Sequence, residues 1–346
     1  MAEDIFSQFY NLFNNDDDVN WNLAEQVSKH ILKDEEETYA LEYEGGKKNI
    51  EAIFRAVQIN IEGQVETEIV NIQIDTKETW ALWFINSCKH FDFSILDISS
   101  PDLPININNM KSSIIGMQLG NLAGGLAKHS WGISPTGIIL PKSTTIGINI
   151  DNLLRRVNSL DIDEQEALFA ALALEYTALT LGKFSSPLLH LIDVLNKATE
   201  ELIAEIEKLN TEVDIEANDL NEIMQNFTEN NSAKFENIFD DMFAPLSFYR
   251  ECIVALSKEY VNIDDYSLFD VLVDSSIGEY EENIFTQLNA KINQFSEHSR
   301  KFIEYLYETK NPNSLIDILN DKTLIPSEEE LIDPIIWAAR TSLPPI

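Results

Sequence analysis

The chain has 346 residues, with 59 Asp and Glu against 24 Lys and Arg, giving a formal net charge of −35. Its 44% hydrophobic and 10% aromatic content supports a sizeable core and excludes wholesale disorder, and the length suits two ordinary domains or one large one. A field this negative repels nucleic acid and anionic membrane, which removes both as partners and reads as solubility or adaptation to salt.

In chain order, residues 1–14 read as a short amphipathic helix and Asp16, Asp17 and Asp18 as a solvated turn. This start is acidic and lacks the basic-then-apolar layout of a signal peptide. Trp21, Leu23, Ala24, Val27 and Ile31 recur at helical spacing, and 35–62 continues as acidic helical segments around Gly45 and Gly46. Val70–Ile74 alternates as a short strand, and Thr79–Cys88 packs as an apolar helix. Pro101 and Pro104 mark a boundary, dividing the chain into an N-terminal helical region, 1–101, and a core, 102–346. The run Ser113–Ala127 falls short of the ~20 residues that span a bilayer. Within it Gly116, Gly120 and Gly124 share one helix face, which predicts close approach of another backbone through core packing rather than a ligand groove.

Gly137–Leu140 and Ile146–Ile150 read as two strands of a hairpin around the turn at 141–145, and Asp151 as the cap of a short helix carrying Arg155 and Arg156. The stretch Ala167–Leu181 follows, with Glu175 as its one charge. Asp161 and Asp163 are candidate caps, Gly182 stops the run, and a helix hydrophobic all round must be buried all round. Glu175 lies on the line Leu168, Leu172, Leu179, so it must be paired, protonated or in use. Leu188, Ile192, Leu195, Leu202, Ile206 and Leu209 extend a second long helix, and 211–235 is a mobile insertion. Further helices are predicted at 246–260, 264–275, 280–308 and 312–320. Ser327 with Glu330 forms a capping box, and Asp333 before Pro334 forms a second cap. The predicted fold class is mainly α with a small β hairpin around a buried central helix.

Chemistry is sparse. Cys88 and Cys252 are too few for a disulfide framework or a Cys-based zinc site, and five scattered histidines have no ligand spacing. A zinc hydrolase places two His four apart on a helix so that both imidazoles reach one ion, with Glu beside the first holding the metal-bound water. Around Glu175 those slots hold Leu174 and Ala178: the base is present and both nitrogen ligands are missing.

Four segments in order carry a resemblance: DVNWNLAEQVSKHIL at 18–32, GMQLGNLAGGLAKHSWG at 116–132, LFAALALEYTAL at 168–179 and LIPSEEELIDPIIWAAR at 324–340. The chain resembles a family of zincin-like, zinc-dependent metalloproteases found mainly in actinobacteria. The resemblance implies a zincin-like fold, with Glu175 at the general-base position and Leu174 and Ala178 at degenerate zinc-ligand positions. It also implies a substrate groove between the 137–150 hairpin and the central helix. The family cofactor is zinc; with its ligands missing, no cofactor is expected here. Three functions follow: a pseudoenzyme that binds a peptide or protein partner, an active metallohydrolase with carboxylate ligands such as Asp270 and Asp274, or a structural helical scaffold. A soluble, cytoplasmic protein is expected.

Overall fold

Helix α1 (Trp21–Leu32) is the first described helix, started by Asn20, whose Oδ1 accepts from the Leu23 N–H at 3.0 Å. The computed structural model describes residues 18–35, 46–62, 70–93, 106–159, 162–184, 186–187, 189–190, 242–261, 267–273, 284–309 and 315–342. The expected helix at 1–14, the boundary at 101–102 and the insertion at 211–235 lie outside them, as does nearly all of the second long helix.

The glycine stripe explains why α1 lies where it does. Gly116, Gly120 and Gly124 belong to α4 (Asn106–His129), and a Cβ on Gly116 or Gly120 would stand 2.4 Å from Asn20 O or 2.5 Å from Ala24 O. The α1 backbone occupies the space those side chains would need, and the Asn20 N–H donates to Ser112 O at 2.8 Å across the same contact. The expected close backbone approach is therefore that of α1, with Val27 and Ile31 filling the rest of the seam.

Helix α2 (Lys47–Glu62) leads to β1 (Asn71–Asp75), and α3 (Lys77–Cys88) starts directly behind it on a Thr76–Thr79 capping box. After α4 and a 3₁₀ turn (Ser134–Thr136), β2 (Thr145–Asn149) pairs with β1 in parallel, Asn71 opposite Thr145 and Asp75 opposite Asn149. The sheet corrects the expected hairpin. Gly137–Leu140 forms no strand: Gly137 sits at φ 71° against Leu246 O, Ile139 and Leu140 are buried, and Leu140 O packs on Gly182. With its first arm held by the core, Ile146–Ile148 pairs instead with the alternating Ile72–Ile74 segment. A parallel pair needs a long crossover, which α3 and α4 provide.

The outer edge of β2 is closed by indoles. Trp80 Nε1 donates to Gly147 O at 2.9 Å and Trp83 Nε1 to Thr145 O at 3.2 Å. Gly147 leaves the room, since a Cβ there would meet the Trp83 ring at 2.3 Å. Helix α5 (Ile150–Asn158) is capped by Asn149, whose side chain accepts from the Asn152 N–H; Asp151 stands in the first turn instead of capping it. Asn149 and Asn152 also donate to Ala127 O at 2.8 and 3.0 Å, satisfying the carboxyl end of α4.

Helix α6 (Glu164–Leu181) is the central rod the sequence predicts, capped by Asp163 and ended at Gly182. Nearly its whole surface is buried, with α2 packing on it through Phe54 and Tyr176. Residues 242–261 form α7, followed by α8 (Ser267–Val273) and α9 (Ile284–Glu308). Phe302 of α9 stands edge-on to Phe248 and to Trp337, joining α7 to the C-terminal elements. These are α10 (Leu315–Asn320), a 3₁₀ turn, α11 (Glu328–Ile332) and α12 (Pro334–Ser342), with both predicted caps in place. The architecture is mainly α with a small two-stranded sheet. No helix among the described residues is long and apolar enough to cross a membrane.

Candidate functional site

Glu175 enters the site from α6 and is 1% exposed. The loop leaving α4 folds over it. Asn152 Nδ2 holds Ser130 O at 2.8 Å, Asn149 N holds Trp131 O at 2.9 Å, and Ser130 Oγ donates to Gly132 O at 2.6 Å. So anchored, the loop aims the Ser134 N–H at Glu175 Oε1, 2.7 Å away. Gly132 is required for this approach: a Cβ there would lie 2.2 Å from the same oxygen. The Ser134 hydroxyl lies within polar reach of the carboxyl without making a hydrogen bond of good geometry. Burial pushes the Glu175 carboxyl up to about 7, against the downward pull of Ser134 and the Ile133 backbone.

The carboxyl is thus satisfied by main-chain amides, a partner with no side-chain signature in the sequence. Leu174 and Ala178 are buried, with no atom that could ligate a metal. Asp270, on α8, is bound elsewhere: Lys258 Nζ lies 3.1 Å and Arg300 Nε 3.9 Å from its Oδ1. Asp274 lies outside the described residues. Among the described residues no three His, Cys, Asp or Glu side chains gather into a metal-holding set. Cys88 and Cys252 are free and buried, and burial pushes both thiols up, away from reactivity.

A second constellation has no counterpart in the sequence reading. At the carboxyl ends of the two strands, Lys77 Nζ sits 3.1 Å from Glu35 Oε2 and 3.6 Å from Asp151 Oδ2. Lys128 adds a 3.1 Å contact to Glu35, and Arg155 a 2.7 Å contact to Asp151. Burial alone would raise the Glu35 carboxyl, yet Lys77 and Lys128 together hold it below its ordinary value. Lys77 and Asp151 each stand two residues past a strand end, the end at which open α/β sheets place their sites, a signal that exists only once the two strands are known to run parallel. Here Lys77 and Asp151 are sealed, at 3% and 0% exposure, behind the part-exposed Glu35, Lys128 and Arg155, so the cluster ties α3, α4 and α5 to the end of α1.

A cleft of about 350 Å³ opens at the other end of the sheet, between α3 and the start of β2. Its polar lining includes Gln73, Thr79, Asn86, Ser143 and Thr144, and His90 is its one ionisable lining residue. Glu175 does not line it.

No protein-family model and no curated protein matches the chain. Among solved structures, the chain is similar to the crystal structure of a candidate hydrolase with a novel fold from Chloroflexus aurantiacus. The match covers 94% of this chain and 100% of that one, with a TM-score of 0.50 and 13% identity. At that identity the likeness is one of fold.

Proposed function

We propose that the chain is a catalytically silent protein of the zincin-like metalloprotease type, which works by binding a peptide or protein partner. The seal over Glu175 carries this reading. A general base must reach a metal-bound water at an open cleft, whereas the Glu175 carboxyl faces the backbone of Gly132 and Ser134 with no gap between them. The ligand positions beside it are apolar and core-facing, so the residues do not fit zinc. The carboxylate-ligand alternative loses Asp270 to Lys258 and Arg300. The likeness to the Chloroflexus aurantiacus structure supports only the hydrolase-type scaffold in this reading, through the fold.

The mode of binding differs from the groove implied by the family resemblance. Strand addition at β2 needs a free edge, and Trp80 and Trp83 occupy it. The partner therefore docks on another surface. Elemental analysis of the purified chain, with a generic peptidase assay in added zinc, tests the silent reading. The expected result is no stoichiometric zinc and no metal-dependent cleavage. One tightly bound zinc per chain with chelator-sensitive cleavage overturns it.

A further inference from the structure

Ile332, Ile335 and Ile336 are 55%, 68% and 46% exposed. The other large exposed hydrophobics among the described residues, Ile59, Ile162, Leu189 and Tyr307, are dispersed along the chain. Single exposed apolar side chains are ordinary; a cluster marks an interaction site.

This cluster does not sit on a frayed end. Glu330 takes Arg340 in a two-pronged ion pair, Nε to Oε1 at 2.5 Å and Nη2 to Oε2 at 2.9 Å, and Arg340 also donates to Thr323 O and Ile325 O. Trp337 is fully buried and donates to Leu324 O at 2.6 Å, and Asp333 Oδ1 caps the Ile335 N–H at 3.1 Å. The three isoleucines are held on a rigid corner between α11 and α12, so binding there would cost little ordering. The charges next to the isoleucines in sequence are acidic, and the flanking Arg340 is held by Glu330. Glu328 and Glu329 stand a helical turn before Ile332 on its own face, Asp333 follows it, and all three are exposed. No Lys or Arg occurs between Leu324 and Ala339.

We propose that this corner is a docking surface for a basic amphipathic helix of a protein partner, an assignment that rests on reading the chain as a partner-binding protein. The apolar stripe of such a helix covers the isoleucines while its Lys or Arg residues meet the acidic rim. The net charge of −35 steers a cationic segment inward. A second copy of this chain would set the same acidic rim against itself, and an anionic membrane would be repelled.

The test is a fluorescence-anisotropy titration of the full chain with a designed Leu/Lys amphipathic helix of about 18 residues, long enough to hold helical form. An isosteric Leu/Glu helix is the control. The key variant is the double substitution Ile335→Ser, Ile336→Ser, which leaves net charge unaltered and touches exposed positions, its fold checked by circular dichroism. The Lys helix is expected to bind, to lose affinity about 10-fold or more on the double variant, and to outcompete the Glu helix. Equal affinity for parent and variant would reduce the binding to general charge attraction and overturn the inference, as would no binding of the Lys helix. Dimerisation in sedimentation velocity that the double variant abolishes would also overturn it, in favour of a second copy. The zinc and peptidase assays are independent: failure of the titration with no zinc bound sinks only the docking surface, whereas zinc-dependent cleavage sinks the silent reading whatever the peptide does.

Discussion

Glu175 accepts a main-chain hydrogen bond that ionisation would strengthen, yet burial wins and its carboxyl rises from 4.5 to about 7. A carboxyl raised in the folded state stabilises the fold fully below its unfolded value, and that contribution is lost as pH climbs from about 4.5 through about 7. At 1.36 kcal/mol per pH unit the loss is about 3 kcal/mol. Glu175→Gln keeps an acceptor for the Ser134 N–H and cannot ionise. The variant should be the more stable protein at pH 8, by up to about 3 kcal/mol, with the advantage fading toward pH 4.5; urea denaturation across that range measures it. A variant less stable than the parent at every pH would show that the carboxylate is needed ionised. That Glu175 is buried was legible, because its helix is apolar on all faces. Its partner was not, because an amide N–H belongs to every residue and Ser134 is remote in sequence.

Between α1 and α4, the glycine spacing announced a close backbone approach without naming the element that makes it. Gly120→Ala should cost about 1–3 kcal/mol, since the new methyl meets Ala24 O at 2.5 Å and a main chain cannot turn aside. Gly124→Ala should cost less, because it meets only the Ile31 side chain, at 3.0 Å; paired denaturation curves separate the two. The hairpin was misread for a related reason. Alternation marks Ile146–Ile148 as strand, but periodicity does not choose between neighbours, and the packing of Gly137 on Leu246 O and of Leu140 O on Gly182 removed the nearer one. Asn149 likewise displaced Asp151 as the cap because its position at the strand end also lets it hold Ala127 O.

Over the whole molecule, the helical class with a minor sheet was legible from composition and period, while the charge constellation at the strand ends was not. Glu35, Lys77, Lys128 and Asp151 come from four separate places and meet only after folding. The surface charge is a burden on the fold: 59 acidic against 24 basic residues repel one another at low salt. Raising NaCl from about 20 to about 500 mM should raise the thermal midpoint by ~5 °C as that repulsion is screened, followed by circular dichroism. A fall would show that the ion pairs, rather than the repulsion, dominate.

The two indoles on the rim of β2 have a kinetic consequence. Because the paired strands are separated by the whole of α3 and α4, contact between them waits until that excursion has collapsed, as distant segments close late. Trp80 and Trp83 travel on the excursion and seat against the strand as it arrives. In a chain whose Trp21, Trp131 and Trp337 are replaced by Phe, their emission is thus an optical clock for the seating of the indoles on the strand, readable by stopped flow.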